Sequence, residues 1–314
     1  MNIVKTPFVR SLRYAALRAS ARGAVALARS CPRKPGLALF GLLGSLVYLV
    51  PHADRTRTIS HLTLIYGDRW DRRKINRTAR DVYRQLGKNI FDAFLLPRIS
   101  PKRFNRIVTY DPIDAVRIAY DKKRGCIMIT AHTGCFEMLL HFFAFHGFRS
   151  FAIGKKLHDD QLDAIMRDTR SGDNIVYMDR SESPRKMIRY LQEGMIFGIL
   201  IDQDTSVEGV FARFLGRPAY TPSGPVKMAM KLDVPVFVVT TARQPDDTHH
   251  VYITGPVPLK TGGDFESDLV DNVTAVNDII CATIDRHPSQ WVWMHRRWHR
   301  QPEPPPVMPQ RSMQ

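Results

Sequence analysis

The sequence predicts an α/β fold: a central, mostly parallel β-sheet flanked by helices and preceded by a basic, apolar helical segment. Three observations carry this reading. From about residue 125 onward, short apolar strand candidates alternate with helical stretches. An uncharged run from Gly36 to Val50 is bracketed by Pro35 and Pro51. Basic residues outnumber acidic ones, 46 to 30, for a formal charge of +16. Such an excess favours an anionic partner: nucleic acid, an acidic protein or an anionic membrane.

The N-terminus selects among these partners. Residues 1–35 carry Lys5, Arg10, Arg13, Arg18, Arg22, Arg29, Arg33 and Lys34, and the first acidic residue is Asp54. Leu12, Tyr14, Leu17, Val25 and Leu27 lie between the basic residues. This basic amphipathic pattern suits an anionic membrane surface. As a helix, the following uncharged run would reach ~22 Å at ~1.5 Å per residue, short of a bilayer core of ~30 Å. It reads as an interfacial or partly inserted anchor, with a core helix as the alternative. It starts late for a cleaved signal peptide, and no small-residue cleavage site follows it before Asp54. If it spanned, the basic stretch would stay in the cytoplasm and the large domain would cross. The cysteines argue against that, and so favour a monotopic anchor. Cys31, Cys126, Cys135 and Cys281 form no C-x-x-C pair and no zinc spacing. They read as thiols of a reducing compartment.

Residues 70–95 form a helix, with Ile75, Val82, Leu86, Ile90 and Phe94 on or near one face. Strands follow at Cys126–Thr130, Phe151–Ile153, Ile175–Met178, Ile196–Ile201, Val234–Thr240 and Val251–Thr254. Helices lie between them at Phe136–Phe145, Leu162–Arg170 and Arg185–Gln192. Leu269, Val273, Val276, Ile280 and Ile284 mark a long amphipathic helix. The layout is an N-terminal membrane-associating segment (1–52), an α/β domain (53–300) and a Pro-rich, disordered tail (301–314).

In CIMITAHTGCFEMLL, His132 stands just past an apolar strand, where open α/β sheets place their sites. On a continuous helix His132 and Glu137 would not share a face. They can meet if His132 lies in the loop and Glu137 in the first helical turn. A neutral imidazole can take a hydroxyl proton, and a carboxylate on its other nitrogen fixes the tautomer. The adjacent helix N-terminus offers N–H groups to an oxyanion. By themselves, the two residues read rather as a loop histidine and a helix-capping glutamate.

Further motifs follow in order: IDQD (Ile201–Asp204), FLGRPAYTPSG (Phe214–Gly224) and HPSQWVWMHRRW (His287–Trp298). With HTGCFE, they resemble the bacterial lipid A late acyltransferases, of the wider lysophospholipid acyltransferase superfamily with its H-x4-D/E motif. The resemblance spans roughly residues 10–300. It implies transfer of an acyl chain from acyl carrier protein to a hydroxyl of a glycolipid precursor, at the cytoplasmic face of the inner membrane. It implies His132 as general base, Glu137 as its partner, and no covalent acyl-enzyme, metal or cofactor. It also places Arg170 and Asp202 at the substrate. Many members read H-F-G-N-W-E, so Thr133 and Cys135 leave the acceptor and chain length open.

Other candidates stand beside these. Cys135, three residues from His132, is a conceivable thiol nucleophile of a thioesterase type, and otherwise a small packing residue. Trp291, Trp293 and Trp298 interleave with His295, Arg296, Arg297, His299 and Arg300. They read as base-stacking, as an interfacial belt, or as a buried aromatic face with some arginines near phosphate. No recognised nucleic-acid motif is present, which ranks lipid above nucleic acid. Asp202, Gln203 and Asp204 are a weak divalent-ion set, and Ser223-Gly224 reads as a helix start.

Overall fold

The CIMIT run becomes a strand buried at all five positions. A strand covered on both faces has no polar side to alternate with. The computed structural model describes residues 7–182 and 184–302. Five helices lead: α1 (Pro7–Ser30), α2 (Arg33–Leu49), α3 (Ala53–Tyr66), α4 (Arg72–Leu95) and the short α5 (Pro101–Phe104). Then come β1 (Val108–Tyr110), α6 (Asp114–Asp121), β2 (Cys126–Thr130), α7 (Met138–Phe145), β3 (Ser150–Gly154), α8 (Asp160–Thr169), β4 (Ile175–Asp179), α9 (Pro184–Gln192) and β5 (Ile196–Leu200). A hairpin, β6 (Gly209–Phe214) and β7 (Arg217–Pro222), precedes α10 (Gly224–Leu232), β8 (Val236–Arg243), β9 (His249–Thr254) and α11 (Phe265–Arg286).

The main sheet has seven strands in the order β1-β9-β8-β2-β5-β3-β4. Its pairs are parallel except β8 with β9. Their short connection turns the chain straight back, which only an antiparallel pair allows. One face packs Ile127, Ile129, Phe151 and Phe197 in a core shared with Val273, Val276 and Ile280 of α11. The other packs Met128, Ile196 and Val239 with Phe142 and Phe143 of α7. The expected strands and helices are present. Strand β1 and the β6–β7 hairpin were not expected. The FLGRPAYTPSG segment supplies the turn and second strand of the hairpin, turned by Leu215 and Gly216, both at positive φ (48° and 76°), as a tight two-residue connection requires.

The N-terminal helices pack on the body of the protein. Gly44 and Gly87 let α2 and α4 touch backbone to backbone. A Cβ on Gly44 would stand 2.1 Å from the carbonyl oxygen of Tyr83, and one on Gly87 would stand 2.1 Å from that of Phe40. Arg33, at the start of α2, binds both oxygens of the buried Asp92 of α4 at 2.9 and 3.0 Å. Arg243 of β8 (2.8 Å) and His249 of β9 (2.9 Å) bind the same carboxylate. Burial opposes its charge, but His249, Arg243 and Arg33 hold its pKa well below the usual carboxylate range. Helix α1 is tied to α8 by Arg18–Asp159 (2.8 Å) and Arg29–Asp168 (2.5 Å).

The outer side of α2 stays uncovered: Leu42, Leu43, Leu46, Val47 and Leu49 are exposed. Among the described residues no single helix is long and apolar enough to cross a membrane. The pair α2 and α3 meets that length and composition only together, and is bent by 90°. The tail from residue 303 lies outside the described residues.

Candidate active site

Strands β2 and β5 are parallel neighbours with Thr130 opposite Leu200. Two residues further along each strand, His132 and Asp202 arrive level with one another. Seventy positions of sequence separation vanish in this register. Asp202 is wholly buried. Its Oδ1 accepts from Nδ1 of His132 at 2.8 Å. Its Oδ2 accepts from the backbone N–H of His132 (2.8 Å) and from Nε1 of Trp291 (2.7 Å). Burial alone would raise the pKa of this carboxyl. The His132 charge and hydrogen bond, with Trp291 Nε1–H, outweigh it and hold the group well below its ordinary value. Asp202 is therefore ionised and can only accept, so Nδ1 of His132 carries a proton, and the neutral form of the ring has its bare nitrogen at Nε2.

The first carboxylate in sequence after His132 goes elsewhere. Glu137 sits at the N-cap of α7 without capping it. Both of its oxygens take the Arg170 guanidinium, at 2.8 and 2.6 Å. Arg170 ends α8 and also donates to the hydroxyl of Tyr177 on β4 at 2.5 Å. Burial would lower the Arg170 pKa, but Glu137 and Tyr177 hold it above its ordinary value. No hydrogen bond joins Glu137 to His132. Asp202, expected at the substrate, instead lies behind the imidazole, out of substrate reach. Arg170 lines the cavity.

That cavity, of about 610 Å³, opens beside His132, Glu137, Arg170 and Gln203. Deeper in, its walls are apolar: Met128, Leu139, Leu140 and Phe143, with Gly198 and Val239 on the sheet. A polar mouth over an apolar interior is the usual form of a site for a ligand with a long hydrocarbon part.

The loop that carries His132 is fixed from behind. Asn89 of α4 donates to the carbonyl oxygen of Gly134 at 2.8 Å, and Arg243 donates to Asn89 at 2.8 Å. Gly134 has φ +51°, and a Cβ there would strike the carbonyl oxygen of Thr241 at 2.3 Å. The backbone N–H groups of His132, Thr133 and Gly134 are committed to Asp202, Ala131 and Gln290. These three loop amides are thus already engaged.

The remaining candidates resolve as follows. Cys135 is buried, donates weakly to the carbonyl oxygen of Asn89 at 3.6 Å, and has its thiol pKa pushed far up by burial. Such a thiol is inert as a nucleophile at neutral pH. Trp291, Trp293 and Trp298 are buried. Arg297 is buried against the carbonyl oxygen of Tyr220 and the hydroxyl of Thr221, and Arg300 is held by Asp204 at 2.5 Å. These two arginines brace the fold, and Asp204 turns away from Asp202. Ser223 precedes α10 as a plain helix start. Sequence reasoning left three members of the site without a role in it: Trp291, Tyr177 and Gln203. Trp291 and Gln203 lie within the quoted motifs, whereas Tyr177 had no signal beyond being in a strand.

Compared with known proteins, residues 5–300 match the family model described as bacterial lipid A biosynthesis acyltransferase. No curated protein matches the chain.

Proposed function

Because the chain belongs to the bacterial lipid A biosynthesis acyltransferases, a family that transfers acyl groups, we propose that it moves a fatty acyl chain from acyl carrier protein to a hydroxyl of a lipid A precursor, with His132 as general base. The observation that carries this reading is the His132–Asp202 pair (2.8 Å) at the mouth of an apolar cavity of about 610 Å³. The acyl chain lies in the apolar interior and its thioester carbonyl at the mouth. Nε2 of His132 takes the acceptor's hydroxyl proton as the oxygen attacks the carbonyl carbon. Asp202 stabilises the imidazolium that forms. Collapse breaks the C–S bond, and the proton passes to the departing thiolate, leaving an ester and a free thiol. Glu137 acts through Arg170, holding the guanidinium at the mouth to meet the polar head of donor or acceptor. In a purified assay with acyl carrier protein thioester and a disaccharide lipid A precursor, His132→Ala lowers turnover by roughly 10³-fold or more with the fold retained. Unchanged turnover would sink the mechanism.

The same reading places the chain on the cytoplasmic face of the inner membrane as a monotopic protein. Arg84 of α4 packs beside Gly41 and Gly44 of α2, the helix whose outer side is apolar and exposed. Arg73, Arg77, Arg80 and Arg84 are exposed at helical spacing along α4. An apolar strip next to an arginine row suits insertion among anionic headgroups. The basic surface also suits the acidic carrier protein. Sedimentation with phosphatidylglycerol vesicles tests the membrane contact. The wild-type chain pellets, and the double variant Leu43→Asp/Leu46→Asp stays in the supernatant. Equal pelleting of both would remove α2 from the membrane contact.

A further inference from the structure

Gln203 follows Asp202 and lines the cavity mouth. Its Nε2 stands 2.9 Å from Nε2 of His132, 3.1 Å from Nδ1 of the same ring, and 2.6 Å from Nε2 of His295. An amide bonded along the in-plane lone pair of the His132 Nε2 would lie far beyond hydrogen-bond reach of Nδ1. An atom close to both ring nitrogens must stand over the face of the imidazole, because in the plane it would overlap the carbon between them. The Gln203 amide therefore covers the ring and leaves the basic lone pair open.

An amide nitrogen can only donate, so Nε2 of His295 is the acceptor and His295 carries its proton on Nδ1. Its surroundings keep it in that neutral form. Burial, and then the His132 charge, lower the His295 pKa to about 4. One Gln203 N–H is spent on His295. The other meets only the face of the His132 ring, a weak partner that a stronger acceptor displaces.

We propose that Gln203 is a catalytic residue whose free amide N–H binds the oxyanion formed when the thioester carbonyl is attacked, and that His295 is the positioning residue that aims it. This rests on the reading of His132 as the base. An attacking hydroxyl bonded to Nε2 of His132 sits within ~3–3.5 Å of the carbonyl carbon. The amide, 2.9 Å from that same nitrogen, is within one hydrogen bond of the carbonyl oxygen. The nearest loop amides, of His132, Thr133 and Gly134, are already engaged. As the acceptor oxygen adds to the carbon, the C=O π pair moves onto the oxygen beside Gln203. As the C–S bond breaks, the pair returns and the thiolate leaves with the proton held by His132. A donor that bonds the neutral carbonyl weakly and the oxyanion strongly lowers the barrier while adding little to substrate binding.

The test is kinetic and spectroscopic on the full chain. Gln203→Met keeps the length and removes the donor. It should lower kcat by about 10²–10³-fold, with KM for both substrates within about threefold of wild type. With dodecanoyl-pantetheine labelled with ¹³C at the carbonyl, the infrared band of the bound thioester should sit lower in the wild type than in the variant, since a hydrogen bond weakens C=O. A kcat within about threefold of wild type, or an unmoved band, overturns the proposal, as does a loss traced to a shifted pH profile with the band unmoved. Should Gln203→Met fail to fold, Gln203→Glu decides by the same two readings. It matches the size and polarity of glutamine but presents no donor when ionised. His295→Ala should cost about tenfold in kcat, and His295→Asn, which keeps an acceptor, should restore much of it. An equal loss in both would remove His295 from its positioning role. His132→Ala run alongside separates the two readings. If it is active, the general-base reading fails. If it is inactive while Gln203→Met turns over normally, only the Gln203 assignment fails.

Discussion

One carboxylate lines the cavity and another lies behind His132, and they work in different surroundings. Asp202 has no exposed surface and meets one titratable partner, His132, together with two neutral N–H donors. Glu137 has 13% of its side chain exposed and meets a permanent cation, Arg170, through both oxygens. The charge of Asp202 is therefore available to a proton that arrives on His132 during reaction. The charge of Glu137 is already spent on a guanidinium that never gives up its proton. A carboxylate serves as the orienter of a base when it is desolvated and its best partner is the base itself. Nearness in sequence has no bearing on that.

Substitutions that change each carboxylate separately can break this contrast. The largest effect is expected at Asp202→Asn, which preserves shape but removes the charge and can turn the imidazole to the wrong tautomer. By analogy with other base–carboxylate pairs, kcat should fall roughly 10³–10⁴-fold, with donor affinity little changed. Measured kcat for this variant near wild type would return the orienting role to Glu137. Next comes Glu137→Gln, which frees the Arg170 guanidinium from its carboxylate. We expect kcat/KM to fall about 10–10²-fold, mostly through KM. A loss confined to kcat and as deep as that of His132→Ala would reverse the assignment. The smallest effect belongs to Cys135→Ala. Turnover should stay within about threefold, while the melt shows a loss of about 1–2 kcal/mol from the small cavity left in the core. Near-total loss of activity would revive a thiol mechanism.

Much of this molecule was legible in advance. Strand β2 was readable to the residue because a doubly covered strand is a pure apolar run, and α11 because its Leu and Val spacing follows a helical face. The position of His132 was readable because it directly follows that apolar run. The partner of His132 was not readable, since the pairing of Thr130 with Leu200 is decided by strand order. Nothing in the 70 intervening positions announces that β5 rather than β3 lies beside β2. Trp291 was legible as a buried ring. That its N–H steadies Asp202 follows only from the bridge between Trp291 and Thr133. The 1–52 segment was legible as basic and apolar, but the close packing of α2 on α4 depends on glycines that meet only in the folded chain.

The sequence by itself determined which segments would be strands and helices, that one histidine would stand at the end of a buried strand, and, through its ordered motifs, the family. Those properties are local: periodicity, burial demand and spacing act over a few residues at a time. Tertiary structure alone decided which carboxylate meets His132, which one holds Arg170, and that the amide of Gln203 stands over the imidazole between two histidines. Each of these depends on the lateral order of strands and the path of the chain back across the sheet. Hydrogen bonds across such a sheet have no counterpart in the linear order of the residues that make them.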